Sequence, residues 1–424
     1  MERYSSYKDS GISWIGEIPE HWELRHLSQV SYEHYISNKE VHHQNLLSLS
    51  YGRIKRKDIN TAEGLLPASF DTYQIVEEGN IVMRLTDLQN DHKSLRVGLV
   101  KEEGIVTSAY VCLGVYDSIF PSYLYNVLHS YDIKKLFYSM GGGLRQNLNW
   151  QGLKKLDIPL PLKDEQQAIV AYIEEKCQMI DAYVADKEKE IELLQELKQK
   201  TIADAVTKGL NPDAKMKDSG ISWIGEIPEH WEVCRMKRVF SEAKEKTISE
   251  EGTLLSLSQY TGITLKDDAK KVGMFEAEST IGYNVVHPGQ FVMNIMLAWN
   301  GSYAVSDYEG IISPSYCVFN FNEDCEKKYF HYLLRLPAYA GAFKTMSKGI
   351  IESRLRLYPI YFLAFKTIIP PQDEQQAIVA YIEEKCEKID KLASELQSEI
   401  DYLKEYKQRL IADCVTGQVN VQNI

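Results

Sequence analysis

Apolar residues recur every three or four positions along two long, otherwise polar segments of the chain. The first segment, 164–208, contains no glycine or proline and is rich in leucine, glutamate, lysine and alanine, which favour helices. Gly209 follows it, as expected at a helix end. The second segment begins after Pro371 and ends at Gly417. The pattern predicts two long amphipathic helices.

Both segments fit one seven-residue frame with apolar residues at two positions of each seven, which is typical of a coiled coil. We expect an antiparallel pair, because the first helix leads from one globular part to the next and the second must run back to pack on it. The alternative is two independent amphipathic helices on separate cores, but the matching frames favour pairing. The predicted seam consists of Val170, Ile173, Cys177, Ile180, Val184, Ile191 and Leu194 in the first helix, and of Val379, Ile382, Cys386, Ile389, Leu396, Ile400, Leu403 and Leu410 in the second.

Outside these segments the apolar residues form short runs opened by glycine and rich in β-branched and aromatic residues, which indicate strands. Other stretches have helical spacing. The predicted strands lie within 81–85, 104–113, 291–295 and 310–319, and the predicted shorter helices are 123–138 and 329–346. These elements predict mixed α+β domains.

Two stretches of the chain occur twice. Residues 8–23 return unchanged at 217–232, and residues 164–177 return at 373–386, both with an offset of 209. A repeat of this length is a duplicated domain, and duplication predicts internal pseudo-twofold symmetry. The expected fold is therefore two mixed α/β domains joined by two long helices that form an antiparallel coiled coil. We divide the chain into a first domain (1–157), a central helix (158–212), a second domain (213–369) and a C-terminal helix (370–424).

Composition narrows the class of protein. The chain has 424 residues, of which 44% are hydrophobic and 25% charged, as in ordinary soluble proteins. No apolar run is long enough to span a membrane and the N-terminus does not resemble a signal peptide, so we expect a cytoplasmic protein without a membrane partner. The seven cysteines form no Cys-x-x-Cys pair and the histidines have no metal-ligand spacing, so we expect neither a metal nor a cofactor.

The net charge of −12 is concentrated in the two helical segments. Residues 158–212 carry −4 and residues 371–424 carry −5, whereas the two globular parts are almost neutral. Binding to phosphates depends on a local basic surface rather than on the charge of the whole chain. Nucleic acid therefore remains a possible ligand of the globular parts.

Several polar clusters are candidates for contact with nucleic acid. Four basic residues lie within 53–57, after the run Leu-Leu-Ser-Leu-Ser-Tyr at 46–51, and basic clusters supply phosphate contacts and guanine readout. The ordinary alternative is a solvated hairpin, and for the amide-rich loop 141–149 it is a flexible turn with capping side chains. We expect Met83 and Met293 to be core residues, and Trp14, Trp22, Trp223 and Trp231 to pack the short repeated motif onto the helix pair. The candidates are Arg53, Lys55, Arg56, Lys57, Arg84, Gln89, Asn90, Arg145, Gln146, Asn147 and Asn149 in the first copy, and Lys266, Lys270, Lys271, Asn294, Asn300, Arg354 and Arg356 in the second.

Three motifs in this order resemble the specificity subunit of type I DNA restriction–modification systems. They are the opening Asp-Ser-Gly-Ile-Ser-Trp-Ile-Gly-Glu-Ile-Pro-Glu-His-Trp-Glu at 9–23 and 218–232, the glycine-opened strands at 289–294 and 310–316, and Pro-x-x-x-Glu-Gln-Gln at the start of each long helix. Loop 141–150 also matches the family, whereas its counterpart 348–357 departs from it.

The resemblance implies two target recognition domains, each reading one half of a bipartite site in double-stranded DNA. It also implies that the helices act as a spacer and dock two methyltransferase subunits, which motor-nuclease subunits then join. Such a subunit has no catalysis of its own. A DNA methyltransferase or nuclease is the alternative from another class, but the Asn/Asp-Pro-Pro-aromatic tetrad and the P-loop are absent from the sequence. A coiled-coil scaffold that does not bind DNA is the third hypothesis.

Overall fold

The computed structural model describes residues 2–59, 69–91, 93–140, 147–259, 262–266, 279–322, 325–349 and 354–422. The chain forms two compact units. Unit 1 comprises Met1–Lys189 and Leu396–Ile424, and unit 2 comprises Glu190–Glu395. Each unit therefore holds one globular part together with part of each long helix, and the four-segment division made from the sequence stays a prediction.

Unit 1 is built from short strands and a few helices. In chain order they are β1 (Tyr7–Asp9), β2 (Glu17–Pro19), β3 (Glu23–His26), α1 (Leu27–Val30), β4 (Ser31–Glu33), β5 (Ile36–Ser37), β6 (Leu47–Ser50), β7 (Arg53–Arg56), β8 (Gln74–Val76), β9 (Ile81–Met83), β10 (Val97–Leu99), β11 (Gly104–Val106), β12 (Val111–Val115), α2 (Pro121–Ile133), α3 (Leu136–Met140), α4 (Trp150–Leu153), β13 (Asp157–Leu160) and the start of α5 (Lys163–Lys208).

Unit 2 repeats this plan after the end of α5. Its elements are β14 (Met216–Asp218), β15 (Glu226–Pro228), β16 (Glu232–Arg235), β17 (Phe240–Ala243), β18 (Leu255–Ser258), β19 (Gly262–Leu265), β20 (Asn284–Val286), β21 (Phe291–Asn294), β22 (Tyr303–Val305), β23 (Gly310–Ile312), β24 (Tyr316–Phe321), α6 (Lys327–Leu334), α7 (Pro337–Met346), α8 (Pro359–Ala364), β25 (Lys366–Ile369) and α9 (Gln372–Val415). Two 3-10 turns lie at Met236–Arg238 and Ala298–Asn300.

The main sheet of each unit has four antiparallel strands in corresponding order. In unit 1 the order is β10-β9-β12-β4, and in unit 2 it is β22-β21-β24-β17. A hairpin, β6–β7 or β18–β19, stands beside each sheet. Met83 and Met293 are fully buried in the central strands, which confirms that they are core residues. The mixed α+β fold of each repeat is therefore confirmed.

The two long helices begin and end close to the predicted positions, and they pair within each unit. In unit 1, Lys407 bonds Asp181 at 2.6 Å and Lys404 bonds Glu188 at 3.1 Å, so the partner position falls as α5 advances. In unit 2, Lys198 bonds Asp390 at 2.6 Å. Also in unit 2, Tyr381 lies beside Asp204 and Ala205, so the partner position again falls as α5 advances. The antiparallel arrangement is confirmed in both units. The seam residues are buried or half-buried at the predicted three- and four-residue steps.

The polar breaks in the heptad pattern have a structural explanation. Lys198 and Lys407 occupy seam positions, and each reaches an aspartate on the partner helix. Their side chains are only 27% and 23% exposed, as expected for lysines that bury the carbon stem and extend the ammonium group to a partner. The two ion pairs are equivalent under the offset of 209, so the same register is specified in each unit.

Two expectations from the sequence were wrong. The single helix expected over 123–138 is two helices, because Lys135 adopts a left-handed conformation with φ of 59°. The helix expected over 329–346 is also two, because Pro337 disfavours a helical conformation at Leu336 and starts α7. Trp14 is 37% exposed, and Trp223 stacks on Phe365 in the core of unit 2, so the packing of these two residues on the helix pair stays a prediction. Among the described residues no helix is long and apolar enough to cross a membrane.

Candidate nucleic-acid interface

The basic cluster of unit 1 lies on hairpin β6–β7. The two turn residues, Tyr51 and Gly52, have φ of 46° and 76°, which is the type I′ geometry that matches the twist of a two-residue hairpin. A left-handed backbone is unusual for a tyrosine, and its side chain is 74% exposed. The turn therefore presents a large aromatic ring to solvent.

Alternation along β7 sorts the basic side chains into two groups. Arg53 and Lys55 pair with Ser50 and Ser48 and project from the face opposite the buried leucines of β6. Arg56 lies on the other face, where its guanidinium donates to Glu102 at 2.7 and 2.8 Å. The hydrogen bond to Arg56 lowers the pKa of Glu102. Arg53, Lys55 and Arg56 are all exposed, but Arg56 is engaged by Glu102, and Lys57, which follows β7, is exposed as well.

The loop Arg84–Asp91, which follows β9, brings a second set of candidates to the surface. Gln89 and Asn90 are exposed, Arg84 is half-buried, and Leu85 and Leu88 anchor the loop in the core. Asn90 Nδ2 donates to Asp87 Oδ1 at 2.7 Å. The loop is therefore an ordered platform with amide groups at its tip.

The segment before α4 supports this loop from below. Asn147 Oδ1 accepts a hydrogen bond from Asp87 N at 2.8 Å, and Asn149 Oδ1 accepts one from Gly152 N as the N-cap of α4. Both side chains act inside the domain, in the way that the capping alternative describes. Arg145 and Gln146 lie outside the described residues.

Unit 2 places its candidates differently. Asn294 is 4% exposed, and its side chain accepts a hydrogen bond from Met296 N. Asn300 is exposed at the end of the 3-10 turn Ala298–Asn300. Lys266 and Arg354 are exposed as well. Arg356 is half-buried, and its backbone pairs with that of Lys348. Lys270 and Lys271 lie outside the described residues.

An open recess of about 320 Å³ lies beside Asn300 in unit 2. Arg335 spans its wall, donating to the carbonyl oxygens of Gln259 at 2.5 Å and of Tyr303 at 3.4 Å. The recess is lined by Gln259, Asn300, Gly301, Tyr303, Arg335 and Ala340. Hydrogen-bonding groups thus surround a recess next to the hairpin turn.

The repeated motifs meet at the start of each long helix. In unit 1 the Glu165 carboxylate, 1% exposed, accepts hydrogen bonds from Trp22 Nε1 at 3.0 Å and from Tyr4 OH at 2.5 Å, and His21 Nε2 lies 3.0 Å away. Burial and the neighbouring Glu165 carboxylate raise the pKa of the Tyr4 phenol. In unit 2, the Glu374 carboxylate accepts a hydrogen bond from Trp231 Nε1 at 2.8 Å, and His230 Nε2 lies 2.5 Å from its other oxygen. The identical segments therefore build corresponding joints, to which Tyr4 adds one more donor in unit 1, and Trp22 and Trp231 pack on the helices as predicted.

Sequence reasoning did not assign Glu165 and Glu374. A signal was present, because His21 and Glu165 are separated by the same 144 positions as His230 and Glu374. Each joint also includes the glycine that ends the opposite helix: a Cβ at Gly417 would clash with Pro19, and one at Gly209 would lie 3.2 Å from Trp231. These residues fix each helix pair to its globular part.

The helix pair of unit 1 has two different sides. On one side Glu188 and Lys404 form an ion pair. The other side, where Tyr183 OH donates to Glu399 Oε1 at 3.1 Å, carries exposed apolar residues. We call this set the apolar face of unit 1: Met179 (59% exposed), Tyr183 (46%), Tyr402 (67%) and Tyr406 (36%).

Unit 2 carries apolar residues at the equivalent heptad positions, and we call them the apolar face of unit 2. They are Leu193 (55% exposed), Leu197 (50%), Leu392 (41%) and the half-buried Tyr381. Leu197 and Tyr381 line one groove of about 290 Å³ together with Lys200, Thr201 and Asp204. Clustered exposed apolar residues rimmed by charges are typical of protein-binding surfaces.

The described residues contain no group of histidine, cysteine, aspartate or glutamate side chains arranged to hold a metal ion. The free cysteines are buried or half-buried, and burial raises the pKa of Cys112, Cys317 and Cys414 to about 12. A thiol with so high a pKa is protonated at neutral pH and is a poor nucleophile. The surfaces described above are suited to binding.

Comparison with known proteins points to one class. No family model matches the chain. Two curated relatives from Methanocaldococcus jannaschii do: the putative type I restriction enzyme MjaX specificity subunit is 23% identical, with 96% of each chain covered. The type I restriction enzyme MjaVIII specificity subunit is 25% identical, with 76% of each covered.

Solved structures share the fold. A chain from a study of complex assembly and conformational transition in a type I restriction–modification system superposes with a TM-score of 0.63 at 15% identity, covering 95% of this chain and 99% of that one. The HsdS subunit of Thermoanaerobacter tengcongensis gives 0.51 at 14% identity, with 95% and 98% covered. The resemblance inferred from the motifs is confirmed. The curated relatives are named type I restriction enzyme specificity subunits, and the solved structures that share the fold come from type I restriction–modification systems.

Proposed function

We propose that this chain is a non-catalytic recognition subunit that acts in the cytoplasm and reads a bipartite site in double-stranded DNA, one half-site per unit. The observation that carries the proposal is that the two units share one framework of sheets and helices but expose different side chains. The two units share sheet order, helix joints and seam ion pairs. Their exposed hairpins and loops, in contrast, carry different side chains. A common frame with different reading surfaces suits a target whose halves differ.

The paired helices set the distance between the half-sites and dock the partner subunits. The two apolar faces occur at equivalent heptad positions, with Tyr402 and Tyr406 in unit 1 and Leu193 and Leu197 in unit 2. Equivalent faces favour two copies of one partner, the methyltransferase subunit, with motor-nuclease subunits joining through it. Exposed aromatic and leucine side chains are suited to a helical partner.

A domain exchange tests the proposal. Residues 24–157 would be replaced by the corresponding domain of another specificity subunit, and methylation by the reconstituted complex would be mapped by modified-base sequencing. We expect the original complex to methylate a site with two short specific blocks around a nonspecific gap, and the exchange to alter one block and leave the other. A single contiguous block, or a change in both, would contradict the proposal.

Two rival hypotheses make different predictions. A methyltransferase or nuclease would act on DNA as the purified chain alone, whereas we expect neither methyl transfer nor cleavage without partners. A coiled-coil scaffold would assemble with partners but would not alter which sequence they methylate. The domain exchange therefore separates the scaffold from the recognition subunit.

A further inference from the structure

Arg96 is a fully buried arginine at the start of β10 in unit 1, with 0% exposure. Its guanidinium donates to Arg84 O at 3.2 Å and Thr86 O at 2.9 Å through Nη1, and to Asp87 O at 3.4 Å and Asp91 O at 2.5 Å through Nη2. Its Nε donates to Tyr138 OH at 2.9 Å. A single side chain thus binds four carbonyl oxygens of the loop Arg84–Asp91.

An arginine side chain is rarely buried completely, as that of Arg96 is. Burying a guanidinium is costly unless its donors are satisfied, and a packed apolar residue often stabilises a core as well or better. The planar five-donor geometry of arginine, however, can hold several oxygens at fixed angles. Apart from the Tyr138 hydroxyl, the partners here belong to one loop: four backbone carbonyls and the Asp91 carboxylate, 3.8 Å from Nη2. The side chain therefore determines the path of that loop more than it joins elements of the core.

The loop that Arg96 holds is strained. Asp87 has φ of 55°, and among the described residues only four that are not glycine have positive φ. Strained residues persist where their surroundings over-determine them, and they concentrate at functional sites. With the carbonyl groups turned inward to Arg96, Gln89 and Asn90 are left exposed at the tip.

The segment next to Arg96 also fixes the basic hairpin. Gly52 N donates to Leu95 O at 3.2 Å, and Tyr125 OH donates to Gly52 O at 3.4 Å. A Cβ at Gly52 would lie 3.1 Å from Leu95 Cβ, so the turn fits closely against the segment. Leu95 and Arg96 therefore place the hairpin turn and the amide-bearing loop in one fixed arrangement.

We propose that Arg96 is a positioning residue for recognition of the half-site read by unit 1: it holds the loop Arg84–Asp91, beside the β6–β7 turn, in the conformation that reads bases. This inference rests on the proposed function. Unit 2 has a corresponding arrangement from another position in the chain, because Arg335, the C-cap residue of α6, bonds the carbonyl of Gln259, which follows β18, and the strand carbonyl of Tyr303.

The test uses the full chain reconstituted with its methyltransferase partner and DNA duplexes with single base changes in one half-site or the other. Arg96→Lys keeps the charge but cannot span four carbonyls. We expect the preference for the matched over the mismatched half-site of unit 1 to fall by roughly tenfold or more, with the other half-site unaffected. Tyr138→Phe removes the hydroxyl that accepts from Arg96 Nε and donates to Asp91 O at 3.1 Å. It should give a smaller loss in the same half-site, which keeps the test valid if Arg96→Lys fails to fold.

Two controls separate positioning from general destabilisation. Ile158 is a buried residue of β13, away from the loop. Ile158→Ala should lower the stability of unit 1 and leave the base preference unchanged. Arg335→Lys should leave the half-site of unit 1 unchanged. Full discrimination in both Arg96→Lys and Tyr138→Phe, or an equal loss in Ile158→Ala or Arg335→Lys, would overturn the inference. A wild-type complex without a bipartite site would instead refute the proposed function.

Discussion

The carboxylates of Glu165 and Glu374 accept equivalent hydrogen bonds, but the two side chains differ in how far they are buried. Glu165 is 1% exposed, whereas the side chain of Glu374 is 37% exposed. A buried acceptor that serves several donors stabilises more than an exposed one, because its loss leaves donors unpaired away from water. The two copies of one motif therefore offer a matched comparison within a single chain.

We expect Glu165→Gln to lower the free energy of unfolding by about 2–3 kcal/mol and Glu374→Gln by about 1 kcal/mol. The glutamine amide group would face the donors of Trp22, Tyr4 or His21 in unit 1, whereas in unit 2 the acceptor and the His230 side chain, 51% exposed, are both accessible to water. Urea unfolding of the full chain, followed by tryptophan fluorescence, measures both changes. Equal losses would show that burial of the joint does not govern its contribution.

The basic hairpin allows a second comparison between neighbouring residues. Arg53 and Lys55 project to solvent on one face of β7, and Arg56 is engaged by Glu102 on the other. We expect Arg53→Ser with Lys55→Ser to weaken DNA binding by the assembled complex. The salt slope of the affinity should fall by about one for each phosphate that no longer has a cationic partner.

Arg56→Ser is the control, because it also removes a positive charge from β7 but from the opposite face of that strand. Fluorescence anisotropy across a salt series measures affinity and slope together. An Arg56→Ser variant that loses as much salt dependence as the double variant would show that net charge, rather than the exposed face, accounts for the effect.

At the scale of elements, the heptad pattern located α5 and α9 to within a residue or two because a long two-helix seam depends on spacing that sequence displays directly. The break before α7 was foreseeable from Pro337, whereas the left-handed Lys135 has no comparable signal. The role of Arg96 could not be predicted, because its partners are backbone carbonyls that leave no trace in side-chain spacing. The exposed hairpin cations were identified from the sequence, but which of them are engaged by acids depends on strand register.

The apolar faces predict how partners assemble. We expect Tyr402→Ser with Tyr406→Ser to lower the affinity for one methyltransferase copy by roughly tenfold or more, because truncated aromatic anchors at an interface commonly cost this much. Two partner copies should bind the original chain, and one should remain tightly bound to the variant. Analytical ultracentrifugation at defined concentrations measures the stoichiometry.

The opposite side of the same helices supplies the control. Glu188→Ser with Lys404→Ser breaks an exposed ion pair, whose contribution to stability is about 0.2–1 kcal/mol, and leaves the apolar face intact. We expect two partner copies to bind this variant. Loss of one copy here, or two tight copies on the tyrosine variant, would place the docking surface elsewhere.

At the scale of the whole molecule, the proposed spacer role makes the gap between half-sites a function of helix length. Removing residues 188–194 and 394–400 takes one complete heptad from each helix and keeps both seam frames. Each deletion shortens its helix by about 10 Å at 1.5 Å per residue, which corresponds to about three base pairs at 3.4 Å per step. Deleting a heptad from one helix alone mismatches the Lys198 and Lys407 ion pairs and serves as the control.

We expect the paired deletion to shorten the nonspecific gap by about three base pairs, or to abolish methylation if the shortened frame cannot engage both half-sites. The single deletion should lose activity, because its seam residues no longer meet their partners. Modified-base sequencing of DNA methylated by each complex reads the gap directly. An active paired deletion with an unchanged gap would show that the helices hold the units together without setting their spacing on DNA.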